Sequence, residues 1–182
     1  MVEVELKFQI PEARRNALLK ALDAKKSQII PLKAKYYDTQ DGLLSQHGVA
    51  LRQRLEGTRW VQTLKAAGKS HVHRFEHNYD LGELEHAPEL DLSIYTEHAE
   101  AEQILKHALG ASHAELKLQF ETDIQRTFRV MHFEDTEIEV SLDVGEVRTA
   151  TAQQAMHEVE FELKSGSVHS LLAFSFEWVK KY

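Results

Sequence analysis

Met1-Val2-Glu3-Val4-Glu5-Leu6-Lys7-Phe8-Gln9-Ile10 alternates strictly between apolar and polar side chains. Residues two apart share a face of an extended strand. Val2, Val4, Leu6, Phe8 and Ile10 therefore point one way, and Glu3, Glu5 and Lys7 the other. Outward from this stretch the same period predicts strands over Tyr36–Thr39, Val49–Leu55, Arg59–Leu64, Val72–Asn78, Lys117–Val130, Glu137–Val144 and Ala155–Leu163. Turn residues stand near their ends at Gly42, Gly57, Gly68, Asp135-Thr136 and Gly145. Helices fit Pro11 to Ala24, with proline in the first turn where its missing N–H costs nothing; Glu97–Leu109, stopped by Gly110; and Val168 to the last residue. The pattern is an α+β chain of about eight mostly antiparallel strands in a large sheet or barrel.

The chain has 182 residues, 29 Asp+Glu against 22 Lys+Arg and a formal charge of −7, with 42% hydrophobic and 28% charged residues. This is ordinary globular composition and about one domain of length. No apolar run approaches the roughly 20 residues of a membrane span, and the acidic N-terminus is unlike a signal peptide. The absence of cysteine removes disulfides, zinc-thiolate sites and thiol catalysis. We therefore expect a soluble, cytoplasmic protein with no membrane partner. Net negative charge also disfavours a nucleic-acid binder with a general basic surface. It does not disfavour a small polyanion, whose binding depends on where the bases sit.

The charged faces decide that point. Arg52 and Arg54 share a face, as do Thr63 with Lys65, Arg74 with Glu76, Glu137 with Glu139 and Asp143, and Glu158 with Glu160, Glu162 and Lys164. Each strand alone reads as a solvated face. Together, bases group on the middle strands and acids on the first and last ones, and a curled sheet brings these faces into one interior. Nine acids (Glu3, Glu5, Glu76, Glu137, Glu139, Asp143, Glu158, Glu160, Glu162) and seven bases (Lys7, Arg52, Arg54, Lys65, Arg74, Arg126, Lys164) are candidates for that lining. Such an interior cannot be dry. Arg and Lys suit phosphate oxygens, and carboxylates suit hard divalent cations, so the lining describes a site for a metal–polyphosphate complex. Arg126 fits least well, because strict alternation puts it on a face with Ile124 and Phe128 and calls for a bulge.

Glu3-Val4-Glu5-Leu6-Lys7 resembles the E-x-E-x-K signature of the CYTH superfamily, the triphosphate tunnel metalloenzymes. Tyr36-Tyr37-Asp38-Thr39, Leu51-Arg52-Gln53-Arg54, Trp60 through Lys65, Arg74-Phe75-Glu76, Arg126, Glu139 through Gly145 and Glu158 through Gly166 follow in that family's order. The likeness covers nearly the whole chain and is similar above all to the bacterial inorganic triphosphatase branch. It implies an antiparallel eight-stranded β-barrel tunnel with helices packed outside, and hydrolysis of a triphosphate with Mg²⁺ or Mn²⁺. It implies that Lys7, Arg52, Arg54, Lys65 and Arg74, with Arg126 as an addition, cradle the phosphates. Glu160 and Glu162, with Glu158, become metal ligands; Glu3 and Glu5 hold a second metal or orient water, making Glu3, Glu5 and Lys7 the candidate catalytic residues. Glu76, Glu139 and Asp143 complete the acidic, metal-facing lining. The family pattern continues past the last helix to a basic Ser-Lys element, whereas this chain ends Trp178-Val179-Lys180-Lys181-Tyr182. Residues 1–182 thus read as a single CYTH domain, with truncation, replacement by Lys180 or Lys181, or a site lacking that contact left open.

Eleven histidines invite a metal reading, yet His71, His73 and His77 fall on a strand and its approach rather than at helical ligand spacing. Walker, dinucleotide-binding and serine-hydrolase motifs are absent from the sequence. Phe120, Phe128, Phe133, Phe161, Phe174, Phe176 and Trp178 read as core, while Tyr36 and Tyr37 read equally as strand packing or rim residues. A small-molecule triphosphate is the expected partner. Class IV-type adenylate cyclase and thiamine triphosphatase are alternative activities, and a non-catalytic polyphosphate-binding module is the rival outside enzymology. Oligomeric state has no signature in the sequence.

Overall fold

The computed structural model describes residues 4–70, 73–110 and 115–182, without the side chains of 68–70, 73 and 74. Eight strands, β1 (Glu5–Gln9), β2 (Gln28–Asp38), β3 (Val49–Glu56), β4 (Arg59–Ser70), β5 (His73–Glu83), β6 (Lys117–Phe133), β7 (Thr136–Arg148) and β8 (Gln153–Ser165), form one sheet in the order β1-β8-β7-β6-β2-β3-β4-β5. The ladders β1–β8, β2–β3, β3–β4 and β4–β5 are antiparallel. The order begins at β1 and ends at β5, so no closing ladder appears among the described residues. The eight-stranded antiparallel sheet is as expected; closure into a barrel by strand pairing is not seen. Four helices accompany it: α1 (Arg15–Leu22), α2 (Leu43–Gln46), α3 (Ala99–Leu109) and α4 (Val168–Lys181). Among the described residues no helix is long and apolar enough to cross a membrane.

Two compact units divide the chain. One comprises, among the described residues, 4–31 with Ile124–Glu146 and Gln154–Tyr182. Its core follows from alternation: Ile138, Val140 and Leu142 of β7 and Val159 and Phe161 of β8 are buried against Leu18 and Leu22 of α1 and Leu171, Phe174 and Trp178 of α4. The Phe161 ring meets Phe8, Phe174 and Trp178 edge-on, a geometry that suits the aromatic quadrupole. Because β7 and β8 bury these positions, Glu137, Glu139, Asp143, Glu158, Glu160 and Glu162 occupy the other face. The first helix is shorter than expected. Glu12–Arg14 is a 3-10 turn and α1 stops at Asp23, a left-handed C-cap at φ 58°.

The other unit comprises Leu32–Asp123 with Val147–Gln153. Val49 and Leu51 of β3 and Leu64 and Ala66 of β4 bury against Leu44 of α2, Tyr95, and Ala101, Leu105 and Ala108 of α3. Gln53 and Gln62 face each other with no exposure at all. Gln53 Nε2 donates to Gln62 Oε1 at 3.2 Å, Gln62 Nε2 donates to the Asp91 carbonyl at 2.7 Å, and Tyr37 OH donates to Gln53 Oε1 at 2.9 Å. The pair pins the segment after β5 over the sheet, because a buried amide must find partners. The turn after β2 is built on Asp38, whose carboxylate accepts the N–H groups of Thr39, Leu44 and Ser45 at 2.7, 2.9 and 3.0 Å. This cap makes α2, which periodicity did not anticipate.

Candidate functional site

In the unit of β1 and β8, antiparallel pairing sets Lys7 opposite Glu160, Glu5 opposite Glu162 and Gln9 opposite Glu158. Lys7 Nζ lies 2.6 Å from Glu160 Oε1 and 3.5 Å from Glu158 Oε2. The second Glu160 oxygen accepts from Arg126 Nη2 at 2.5 Å. Arg126 also grips Asp143 through both planar N–H directions, Nε to Oδ1 at 2.8 Å and Nη2 to Oδ2 at 2.7 Å. Asp143 and Glu160 are only 2% and 8% exposed. Burial resists charge on all three groups, but the partners win. Arg126 is raised through Asp143 and Glu160, Lys7 is raised chiefly by Glu160, and Glu160 is held below the usual carboxylate range by Arg126 and Lys7. Arg126 therefore joins the charged face as its organising cation, despite apolar neighbours two residues to either side.

In the other unit, Ala50 faces Lys65, Arg52 faces Thr63, and Lys65 faces Glu76 across β3, β4 and β5. Lys65 Nζ and Glu76 Oε2 pair at 2.7 Å. Arg54 pairs with Glu56 two residues along its own strand. Arg52 differs from both: it makes no ion pair or hydrogen bond among the described residues, and its Nε is buried without a partner. A guanidinium in that condition asks for an anion. Arg74 is in register with Ala67, but its side chain, like the whole of Glu3, lies outside the described residues.

Tyr36 and Tyr37 prove to play different parts. Tyr37 packs into the core, while Tyr36 stands opposite Arg52 and stacks on Phe120 with ring centroids 4.3 Å apart. Both line a cavity of about 390 Å³ with Asp38, Val49, Ala50 and Leu51. Asn78 also lies on the charged side of this unit, hydrogen-bonded to Glu76, and was not among the expected site residues. Its period-2 spacing from Glu76 was the available signal, hidden because Asn78 looked like the end of its strand. His77 and His98 serve packing and capping: their ring centroids lie 4.2 Å apart, and His98 Nδ1 accepts the Ala101 N–H at the start of α3; His71 and the His73 side chain lie outside the described residues.

Glu5 and Glu162 are directly opposed like charges, an arrangement unfavourable on its own and relieved by a cation. Carboxylate oxygens are the donors that Mg²⁺ and Mn²⁺ prefer. Among the described residues no group of three or more His, Asp or Glu is arranged to hold a metal, since Glu158, Glu160 and Asp143 are turned to Lys7 and Arg126 and Glu162 to Lys164. The donor set fits a cation held by one or two carboxylates with its remaining positions filled by other oxygens such as water.

The CYTH domain model matches residues 1–181. The inorganic triphosphatase of Haemophilus influenzae is 36% identical over 143 residues, which are 76% of this chain and 38% of that protein. The chain therefore spans less than half the length of this curated relative. Among solved structures, a candidate adenylate cyclase from Bacillus halodurans aligns with TM-score 0.66 at 20% identity, covering 98% of this chain and 88% of that one. A candidate adenylyl cyclase from Hippeastrum, described as having a dominant triphosphatase activity, aligns with TM-score 0.58 at 18% identity over 98% and 87% of the two chains. At such identities the structural likeness speaks for the fold, and the match along nearly the whole sequence decides the family: this chain belongs to the CYTH domain family.

Proposed function

We propose that the chain is a metal-dependent phosphohydrolase that cleaves inorganic triphosphate, its residues acting together as one CYTH domain. The observation that carries this reading is Arg52, a partly buried guanidinium without an anionic partner among the described residues, set one strand from Lys65. Membership of the family and the name of the Haemophilus influenzae relative support the choice of substrate. Arg52 and Lys65 bind phosphate oxygens, Arg52 through its planar fork and Lys65 as a point charge. Arg54 and Arg74 extend that basic row. The family likeness assigns Glu160, Glu162 and Glu158 to the cation and Glu3 and Glu5 to a second cation or the attacking water. Arg126 and Asp143 hold Glu160 in place. A bound Mg²⁺ or Mn²⁺ supplies charge neutralisation on the phosphate oxygens, the main requirement of phosphoryl transfer.

The experiment is phosphate release from tripolyphosphate, ATP and thiamine triphosphate, each with Mg²⁺, with Mn²⁺ and with EDTA. Metal-dependent turnover fastest on tripolyphosphate is expected. Tripolyphosphate binding without turnover on any substrate overturns the enzyme reading in favour of a polyphosphate-binding module; faster turnover of ATP or thiamine triphosphate reassigns the substrate.

A further inference from the structure

α4 carries apolar side chains on two faces. Leu171, Phe174 and Trp178 bury into the core with the inward residues of β7 and β8. Val168, Leu172, Phe176 and Val179 are nonetheless 45%, 50%, 60% and 53% exposed. Spacings of four, four and three residues set these side chains within about 80° of one another around a helix of 3.6 residues per turn. They form one row along α4, beside its buried face. Phe176, expected in the core, is instead the most exposed large apolar side chain among the described residues. Lys180 Nζ stands 4.2 Å over its ring without removing it from solvent. A single exposed apolar residue needs no explanation, but four in one row mark a contact surface.

The row is complementary to itself. Phe176 is its largest side chain, and His169, Leu172, Ala173 and Phe176 stand at i, i+3, i+4 and i+7, the four corners of a hole on a helix surface. The small Ala173 leaves room in that hole for a ring. A two-fold axis crossing the middle of α4 sets each Phe176 into the hole of the other copy, with the helices antiparallel. Charge selects the same direction. The exposed Glu134 and Asp135 form the turn between β6 and β7, and Glu134 ties that turn to the start of α4 by accepting the Ser170 hydroxyl at 3.0 Å. Lys180 and Lys181 stand at the other end, and among the described residues neither forms an ion pair. A parallel pair gathers four lysines at one end and four carboxylates at the other. An antiparallel pair sets lysines against carboxylates at both ends and opposes the helix dipoles. We propose that the exposed row of α4 seats a second copy of this chain, in an antiparallel two-fold dimer centred on Phe176. Four side chains are far fewer than the roughly 20–30 residues a side of a standard interface, so the dimer is weak and depends on concentration. It is independent of the triphosphate reading.

Sedimentation equilibrium of the whole chain from about 5 to about 500 µM at low salt is expected to show a reversible monomer–dimer equilibrium with a micromolar dissociation constant. Phe176→Asp is expected to raise that constant about tenfold or more, without lowering the melting temperature measured in dilute solution, because Phe176 is exposed. Lys181→Glu and Asp135→Lys are each expected to weaken the dimer as well. An equimolar mixture of these two variants then associates more tightly than either alone, since the mixed antiparallel pair regains opposite charges at its ends. A chain that is monomeric at every concentration, or a dimer indifferent to Phe176→Asp, overturns the proposal. A mixture no tighter than its components overturns the antiparallel arrangement and the proposal with it. Sedimentation of a monomeric chain with phosphatidylglycerol vesicles, lost in Phe176→Asp, overturns it by giving the row to a membrane surface.

Discussion

Glu160 serves two cations at once, Lys7 on one oxygen and Arg126 on the other, in a position only 8% exposed. Charges this buried are maintained by mutual pairing, so removing one member costs more than the pair contributes. Arg126→Met leaves Asp143 and part of Glu160 uncompensated and is expected to destabilise the protein by about 3–5 kcal/mol, read from the urea midpoint. A loss under 1 kcal/mol contradicts the bridge. The pH dependence follows the same residue. Glu160 is held below its ordinary 4.5 in the folded protein, so the unfolded chain binds the proton more readily. Its stabilisation is complete above the ordinary value and is lost as pH falls through the lowered one. Melting temperature is expected to fall more steeply below pH 4.5 in the unmutated chain than in Glu160→Gln; parallel curves contradict the assignment. Arg126 was legible as a base but not as a bridge. Alternation reports the polarity of Ile124 and Phe128 beside it, not the reach of a long side chain toward two carboxylates on other strands.

Strands were legible as elements and poorly legible at their ends. The period-2 runs of β3 and β7 stand out because Leu51 and Val49, or Ile138, Val140 and Leu142, bury one face while charges hold the other. Gly68 and Gly145 read as turn residues, yet they lie inside β4 and β7. Pro31 lies inside β2 just before the β2–β3 ladder, which starts at Leu32 and so asks no donor of it. A glycine in a strand marks a turn only when the chain needs positive φ, as at Gly57 between β3 and β4 with φ 64°. Gly166 is a stronger case. It links β8 to α4 at φ 101°, and a Cβ there would stand 2.7 Å from the Cα of Thr136. Thr136 Oγ1 meanwhile accepts the Ser167 N–H at 3.1 Å, tying this junction to the start of β7. Gly166→Ala combines backbone strain with a clash against main chain, which cannot turn aside. A loss of about 2–4 kcal/mol is expected from these terms, measured by chemical unfolding, with α4 the first element to lose amide protection. A neutral substitution would mean that the junction is not held as described.

At the scale of the molecule, the sequence reading divides the 29 acids and 22 bases between a proposed lining and the remaining surface. With nine acids and seven bases assigned to the proposed lining, 20 acids and 15 bases remain for the exterior. The charged faces were legible because they recur at period 2 on strand after strand; closure of the sheet was not, since the ladder at a sheet edge is encoded by no local pattern. Which bases are already occupied was equally hidden: Arg54 and Lys65 have acidic partners, whereas Arg52 has none among the described residues. The unoccupied guanidinium makes folding and ligand binding one linked equilibrium. A ligand that binds only the folded state stabilises it by about 2.7 kcal/mol at a hundred times its dissociation constant. For a chain of this size that corresponds to a rise in melting temperature of roughly 5–10 °C. Tripolyphosphate in EDTA is expected to produce such a rise, and monophosphate at matched ionic strength a much smaller one, because a short anion cannot span several cations. Arg52→Ala should remove most of the tripolyphosphate shift while scarcely changing the unliganded melting temperature, since Arg52 has no partner among the described residues to lose. An undiminished shift in Arg52→Ala would move the anion site away from β3, and equal shifts from the two phosphates at matched ionic strength would reduce the effect to general salt.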